Sequence, residues 1–427
     1  MATDSEVVHT ERGFDRLVNF TDAVVAIAAT LLILPLIENL GDAISRKGGL
    51  SDLLTEAIFV QILTFFLTFW VMTIYWRQHH AAFERLKDYS PGLISLTFLW
   101  LFGMIFLAYP SGYLVEPDAN VWSLYFGTLA GISLLSTAIN AYASKHPELQ
   151  VDPTSDSNRL DPWGLIYPVT WGVGALIARV PALEDSVFWF FLVIPILGII
   201  DSRKSAPPPK HTRRGFDRLV NFSDAVVAIA ITLLILPLID LVTDDQGDGS
   251  KFAFNQEALQ KLLAFVITFW MMSRQWLANH RIFEKINDYS QTLMSLTFGW
   301  LVLMVFLAFP SGMVGASSLG PAESGVALAY ALFWGTLALI ALFAALIEIY
   351  ASRSPDLLAA PETQISAKRA LYFVLLYLAM SLISLTLQYF EAGQNASFVI
   401  ILLLLIPVIK RRTQGQQSSE LPTRQSP

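Results

Sequence analysis

The sequence has no cysteine and few charged residues for its length. Without cysteine, disulfides, thiol nucleophiles and cysteine-ligated metal sites are excluded. Only 15% of the residues are charged, whereas 54% are hydrophobic, and the mean hydropathy is +0.52. A soluble core of this size could not bury so much apolar surface, so the composition predicts a polytopic membrane protein.

The sequence also lacks catalytic motifs and a cleavable signal peptide. We find no nucleophile motif and no metal-spaced cluster of His, Asp and Glu, so nothing in the sequence indicates an enzyme. The start MATDSEVVHTER lacks the basic region and apolar core of a cleavable signal. The net charge of −7 lies mostly in loops and does not indicate a nucleic-acid partner.

Long apolar runs recur along the chain, each able to cross about 30 Å of hydrocarbon as a helix. We predict an all-α membrane protein of twelve transmembrane helices. Prolines weaken the fifth and sixth of the predicted spans. The spans are 14–37, 56–76, 92–114, 122–144, 162–180, 186–200, 216–239, 258–277, 292–314, 325–351, 369–389 and 394–410.

The first span occurs twice. Residues 12–37, RGFDRLVNFTDAVVAIAATLLILPLI, return at 214–239 with two changes, Thr21 to Ser223 and Ala29 to Ile231. Further matches pair 69–90 with 269–290, 95–112 with 295–312 and 126–149 with 334–357. Because six spans return the chain to its starting side, the halves are parallel and related by an axis along the membrane normal.

The repeat divides the chain into two six-helix units, 12–201 and 213–412. A Pro-rich linker, 202–212, joins them, and tails 1–11 and 413–427 flank them. We place the tails and the linker in the cytoplasm, because basic residues concentrate there. Of the 28 Lys and Arg, only these fall on the opposite side: Arg46, Lys47, Arg179, Lys251 and Lys261.

One face of each first span consists of branched apolar residues and one threonine. The residues at this helical spacing are Ile27, Thr30, Leu31 and Leu34, then Ile229, Thr232, Leu233 and Leu236. Around a central axis they would form an apolar ring, which can gate by dewetting, beside hydroxyls that replace part of a cation's hydration shell. The spacing also fits ordinary helix packing, with each threonine bonded to its own backbone.

Ionisable residues near the start of each first span need partners or solvent. They are Arg16, Thr21 and Asp22, repeated as Arg218, Ser223 and Asp224. One explanation is N-capping with an interfacial arginine. The other is a cluster that pins this helix to its neighbours or responds to pH, with Trp76 and His80, repeated as Trp276 and His280. We discount His79, because Asn279 takes its place in the second repeat.

These motifs resemble the signature of the transmembrane protein 175 family of potassium channels, R-x-x-x-F-S-D in each six-helix repeat. The two copies are Arg16-x-x-x-Phe20-Thr21-Asp22 and Arg218-x-x-x-Phe222-Ser223-Asp224, each followed by A-I-x-x-T-L-L-I-L. Thr21 stands where serine is usual and keeps the hydroxyl. The sequence has no TVGYG-like filter run, which the resemblance does not require.

The resemblance implies a potassium-selective channel whose pore is lined by the first helix of each repeat. Its constricting isoleucine falls on Ile27 and Ile229, and its selectivity threonine on Thr30 and Thr232. We add Leu34 and Leu236 to the predicted gate. Two-repeat members are dimers, so we expect a homodimer with four pore-lining helices, and no cofactor or metal besides the permeant potassium.

Two other functions stay open at this point. A twelve-helix secondary transporter also fits two parallel halves, although mid-span charges are scarce here. A membrane enzyme is less well supported, because no catalytic motif is found. Short loops, nearly identical repeats and the lack of cysteine favour a bacterial plasma membrane; an endosomal or lysosomal membrane would apply to an animal protein.

Overall fold

The structure is a computed structural model that describes part of the chain. The described residues are 11–38, 56–114, 118–153, 162–181, 183, 213–239, 256–316, 326–360 and 367–389. Within them the regular elements are helices, together with two isolated β-bridges. The predicted all-α class is therefore confirmed for these residues.

Each repeat contributes six described α-helices in the same order. The first repeat has α1 (Glu11–Leu31), α2 (Glu56–Glu84), α3 (Pro91–Phe106), α4 (Ala108–Gly112), α5 (Ala119–Lys145) and α6 (Ile166–Ile177). The second has α7 (Arg213–Leu233), α8 (Gln256–Phe283), α9 (Gln291–Phe306), α10 (Ala308–Ala316), α11 (Val326–Ser352) and α12 (Lys368–Tyr389).

Eight stretches of the described residues are long and apolar enough to cross a membrane. They are Arg12–Glu38, Ile58–Glu84, Pro91–Gly112, Ala119–Lys145, Arg213–Ile239, Gln291–Ala316, Leu328–Ser352 and Lys368–Thr386. The predicted span 162–180 is a shorter apolar helix, and the predicted span 258–277 lies in α8, which is not among these eight stretches. The predicted spans 186–200 and 394–410 lie outside the described residues. The chain is a multi-pass membrane protein, and the count of twelve spans stays a prediction.

Prolines interrupt four of the membrane stretches. α3 ends at Phe106 and α4 begins at Ala108, because Pro110 has no N–H to donate to the carbonyl of Phe106. The second repeat breaks in the same way at Leu307, ahead of Pro310. α1 and α7 likewise pass through a turn at 32–33 and 234–235 before Pro35 and Pro237, then continue as helix.

Two backbone hydrogen bonds, which we call the backbone clasp, join the segments that follow α2 and α5. The N–H of Lys87 donates to the carbonyl of Leu149, and that of Val151 to the carbonyl of Arg85, both at 2.9 Å. The second repeat forms the same two bonds between 285–287 and 357–359. This clasp fixes the ends of the second helices, from which His80 and His280 project.

The two first helices lie at the centre of the molecule. α1 packs along α7, and each also contacts the second and third helices of its own repeat. α6 packs against α5, and α12 against α11, at the periphery. Apolar side chains gain no hydrophobic driving force against lipid, so close packing and buried polar bonds must hold this centre together.

Candidate functional site

A buried ion pair joins the two repeats. The side chains of Asp22 and Arg218 are 2% and 4% exposed. Nε and Nη2 of Arg218 donate to the two carboxylate oxygens of Asp22, at 3.0 and 2.9 Å. Nε1 of Trp76 donates to the same carboxylate at 2.9 Å, and Nη1 of Arg218 reaches the carbonyl of His80 at 3.3 Å. Such a bidentate, fully bonded pair offsets the cost of burying two charges.

The N-capping explanation for this motif is wrong. α1 begins at Glu11 and α7 at Arg213, so the motif residues lie well inside their helices. The hydroxyl of Thr21 donates to the carbonyl of Leu17, one turn back, at 2.9 Å. In the second copy, the motif arginine Arg218 pairs with Asp22 of the other repeat rather than with Asp224 of its own.

A second buried chain of hydrogen bonds runs beside the ion pair. The hydroxyl of Tyr289 donates to Oε2 of Glu84 at 2.6 Å and lies 2.9 Å from Nε2 of His80. Since the phenol's single hydrogen goes to Glu84, Nε2 of His80 must carry the proton of the second bond. Burial, and then the bond to Glu84, raise the pKa of Tyr289, so its hydroxyl stays a donor at neutral pH.

Replacing Tyr289 with phenylalanine is expected to lower the free energy of unfolding by about 1–3 kcal/mol, because the nearly buried carboxylate of Glu84 loses the hydrogen bond from the phenol. In the wild type, Tyr289 contributes fully to the free energy of unfolding below about pH 10, which is the pKa of tyrosine in the unfolded chain. Its contribution falls as the pH rises further, because the pKa of Tyr289 is raised in the folded protein and the unfolded chain loses the proton first. Melting curves in detergent at pH 8 and pH 10.5 measure both effects. The control is Tyr372→Phe on α12, where the ring is 55% exposed; equal melting of the two variants would contradict the prediction.

Aromatic packing completes the contact between the repeats. The ring of Phe222 lies 4.6 Å from that of Trp76, and Phe298 lies 5.3 Å from the same ring. Phe222 and Phe298 are 1% and 6% exposed. We call this whole contact the closed seam. Its first-repeat residues are Asp22, Trp76, His80 and Glu84, and its second-repeat residues are Arg218, Phe222, Tyr289 and Phe298.

The remaining motif residues lie on two open edges of the chain. The arginine edge, on the first repeat, consists of Arg16, Phe20, Tyr89 and Phe98; the aspartate edge, on the second, consists of Asp224, Trp276, His280 and Glu284. Arg16 is exposed and has no ion pair among the described residues. Phe20 and Phe98 are 48% and 49% exposed, against 1% and 6% for their closed-seam counterparts.

The aspartate edge forms only some of the contacts that the closed seam has. Nε1 of Trp276 donates to Oδ1 of Asp224 at 2.7 Å, as Trp76 does to Asp22. No described cation pairs with the Asp224 carboxylate. The side chains of His280 and Glu284 are 41% and 63% exposed, whereas those of His80 and Glu84 are 1% and 5% exposed. The sequence cluster is thus brought together once and left incomplete once.

The predicted pore face lies beside the contact between α1 and α7. Ile27 is 45% exposed, while Ile229, Leu34 and Leu236 are half-buried. Thr30 is fully buried, and Thr232 is exposed. Their hydroxyls donate to the carbonyls of Ile27 and Ile229, at 2.8 and 2.7 Å. Ile27 is therefore turned outward from the helix pair, whereas Ile229 packs partly against the core, and each threonine hydroxyl is bonded to its own backbone.

Tyr289 and Phe298 are site residues that the sequence reasoning missed. The repeated D-Y-S at 88–90 and 288–290, and the repeated S-L-T-F that ends at Phe98 and Phe298, were the signals that could have found them. His79, which we discounted, is buried between Phe83 and Trp100 with no hydrogen bond to either ring nitrogen. Among the described residues, no group of three His, Asp or Glu side chains could hold a metal ion.

Comparison with known proteins finds the same family in both repeats. The family model described as endosomal/lysosomal potassium channel TMEM175 matches residues 16–107 and 218–308. A mouse protein named endosomal/lysosomal proton channel TMEM175 is 23% identical over 332 residues, 70% of this chain and 64% of its own. A human protein of that name is 32% identical over 162 residues, 36% of this chain and 29% of its own.

A bacterial relative matches over a shorter region. A protein of Streptomyces collinus named as a potassium channel is 36% identical over 93 residues, which is 22% of this chain and 43% of its own length. The present chain spans less than two thirds of the mouse protein. Since the family model matches once in each repeat, the chain belongs to the TMEM175 family.

Proposed function

We propose that the protein is an ion channel rather than an enzyme, and that it conducts potassium passively as a homodimer. The observation that carries the proposal is the uncharged face of α1 and α7 on which Ile27 is exposed and Ile229 is half-buried. The names of its relatives support a channel, since they are a proton channel in mouse and a potassium channel in Streptomyces collinus.

The proposed dimer follows from the two open edges. The closed seam is a heterologous contact, in which one surface of the first repeat meets a different surface of the second. The residues of the arginine edge are equivalent, by the internal duplication, to those that the second repeat contributes to the closed seam. The residues of the aspartate edge are equivalent to those that the first repeat contributes. A second copy of the chain can therefore join both edges at once, and the ring closes with four repeats around one axis.

In that ring Arg16 of each chain would meet Asp224 of the other, and Phe20 would pack on Trp276. Arg16 would then become as buried as Arg218 is in the closed seam. Four first helices, two from each chain, would surround the axis. Their isoleucines, with Leu34 and Leu236, would form an apolar constriction that gates by dewetting.

Potassium is the ion that we assign to this pathway. The described pore face carries no titratable side chain that would bind a proton, which favours a cation that crosses the constriction with part of its water. The bond from Thr232 to a backbone carbonyl uses only its hydroxyl hydrogen, and because Thr232 is exposed its oxygen lone pairs can still contact an ion. We assign the selectivity role to Thr232 on this capacity, and to Thr30 as its repeat equivalent.

Proteoliposome recordings test the assignment. We expect uncoupled current that reverses at the potassium equilibrium potential. Current that instead reverses at the proton equilibrium potential would show that the permeant ion is the proton and not potassium. Flux that saturates and requires a second gradient would favour the secondary transporter.

The membrane and its orientation are parts of the same proposal. The concentration of Lys and Arg near the chain ends and in the central linker supports cytoplasmic termini. Absent cysteines, short loops and nearly identical repeats support a bacterial plasma membrane. Accessibility of cysteines added to either tail of this cysteine-free chain measures the orientation directly.

Cross-linking is expected to capture the dimer. In one chain Arg214 bonds with Asp15, so the equivalent pair across the proposed interface is Arg12 of one chain with Asp217 of the other. Because the protein has no cysteine, Arg12→Cys with Asp217→Cys adds the only two thiols. A short bismaleimide should convert this variant to covalent dimers on a denaturing gel.

Three controls accompany the cross-linking. Each single cysteine variant should stay monomeric on the gel. The matched variant Asp15→Cys with Arg214→Cys, placed at the contact within the chain, should form an internal link without a change of mass. Monomers alone from the Arg12/Asp217 variant, or a ladder of ever larger species, would contradict a closed dimer.

A further inference from the structure

A stripe along α8 combines exposed apolar side chains with two arginines. Leu263 and Trp270 are 50% and 41% exposed, and Arg274 and Arg281 are exposed closer to the helix end at Phe283. Helical spacing places all four on one face, with the two arginines about 10 Å apart along the axis. The guanidinium of Arg274 lies 5.9 Å from the ring centroid of Trp270. We call these four residues the basic stripe.

The basic stripe faces away from the neighbouring repeats. Trp276 marks the side of α8 that takes part in the aspartate edge, and Arg274 lies roughly 160° around the helix from it. In α2, whose seam is already closed, the corresponding residues Leu63 and Trp70 remain 42% and 43% exposed. Association of the repeats therefore leaves this face uncovered by the described residues, and we place it against lipid.

The charges of the two arginines are not met within the described part of the chain. Neither Arg274 nor Arg281 has an ion pair there. The nearby carboxylate of Glu284 lies instead 3.5 Å from Nε2 of His280. Arginines on a lipid-facing surface are costly unless they reach the interface or an opposite charge. Their long side chains can extend to the headgroup layer at the end of α8.

We propose that the basic stripe binds an anionic glycerophospholipid. Arg274 and Arg281 bind the phosphate, and an acyl chain lies along Trp270 and Leu263. Arginines near the membrane surface attract anionic lipid headgroups. The apolar half of the stripe selects a lipid over a free phosphate, because it offers matching surface for the chain.

The site belongs to the second repeat alone. α2 has Ile74 and Ala81 at the positions of Arg274 and Arg281, while it keeps the apolar half of the stripe in Leu63 and Trp70. The first repeat therefore provides a comparison surface that lacks these two arginines, and its nearest basic residue, Arg77, bonds to Gln291 and Ser295. Because the site lies on the lipid-facing side, it does not depend on the proposed conduction.

Native mass spectrometry of the full chain in detergent tests the proposal. With added phosphatidylglycerol, the wild type should retain lipid about tenfold more strongly than with phosphatidylcholine of the same acyl length. The variant Arg274→Ile with Arg281→Ala should lose this preference. It gives α8 the residues that α2 already carries at these positions, so folding should be preserved, and the size-exclusion profile checks this.

Two further arms decide the outcome. Ile74→Arg with Ala81→Arg should add a second phosphatidylglycerol to the chain, because it builds the stripe on α2. Glycerol phosphate at millimolar concentration should not displace the bound lipid. Equal retention of both lipids by the wild type, an unchanged preference in the Arg274/Arg281 variant, or displacement by glycerol phosphate would each overturn the proposal.

Discussion

Replacing Arg218 with alanine is expected to lower the free energy of unfolding by about 3–5 kcal/mol, because it leaves the carboxylate of Asp22 buried without a cation. Asp22 is 2% exposed and keeps only the bond from Trp76 after the change. Thermal or denaturant unfolding of the purified chain in detergent measures the loss. Arg218→Lys should recover only part of it, because an ammonium cannot form the bidentate contact that the guanidinium makes.

Arg16→Ala is the matched control, since Arg16 is the same motif residue in the other repeat. In the single chain its side chain is exposed and unpaired among the described residues, so the fold of the chain should survive its loss. Light scattering should instead show that the dimer dissociates to folded monomers. If Arg16→Ala and Arg218→Ala destabilise the chain equally and leave its mass unchanged, the division into closed seam and open edges is wrong.

The sequence alone predicted the helical class and the internal repeat. Both depend on local signals, namely apolar length and repeated motifs. It also selected Asp22, Trp76 and His80 as members of one cluster. These three residues meet as expected, because α2 packs beside α1 in the same repeat.

Which arginine pairs with which aspartate could not be predicted from the sequence. Arg16 and Arg218 occupy identical motifs, so the sequence gives no reason to prefer pairing within a repeat or across repeats. The choice depends on how far α1 is rotated against α7, which is a matter of packing between distant segments. The difference between Thr30 and Thr232 could not be predicted either. They occupy the same position of the repeated motif, yet Thr30 is buried and Thr232 is exposed in the single chain.

The local sequence also does not show which copy of the motif is exposed at an open edge. Phe20 and Phe222 follow the same residues in the same repeated span, yet their exposed fractions are 48% and 1%. This difference arises because the first repeat has its neighbour on one side only. The inequality between equivalent residues is therefore a property of the isolated chain, and it locates the surfaces that a second chain can use.

Replacing Ile27 and Ile229 together with asparagine is expected to raise the potassium current at least tenfold. A narrow ring of apolar side chains excludes water, and carboxamides would hydrate it and remove the dewetting barrier. A barrier lowered by about 1.4 kcal/mol is sufficient for a tenfold change. Proteoliposomes with equal amounts of variant and wild-type protein give the comparison, with the current normalised to reconstituted protein.

The control for this experiment places asparagine on the peripheral helices. Leu176 on α6 and Ile383 on α12 are 71% and 39% exposed, and these helices pack against α5 and α11 rather than the first helices. Leu176→Asn with Ile383→Asn adds the same two carboxamides away from the proposed axis and should leave the current unchanged. An equal rise in both double variants would show general leakage. No rise in the Ile27/Ile229 variant, with correct insertion and dimer mass, would remove these residues from the ion pathway, because water admitted at the true constriction must change conduction.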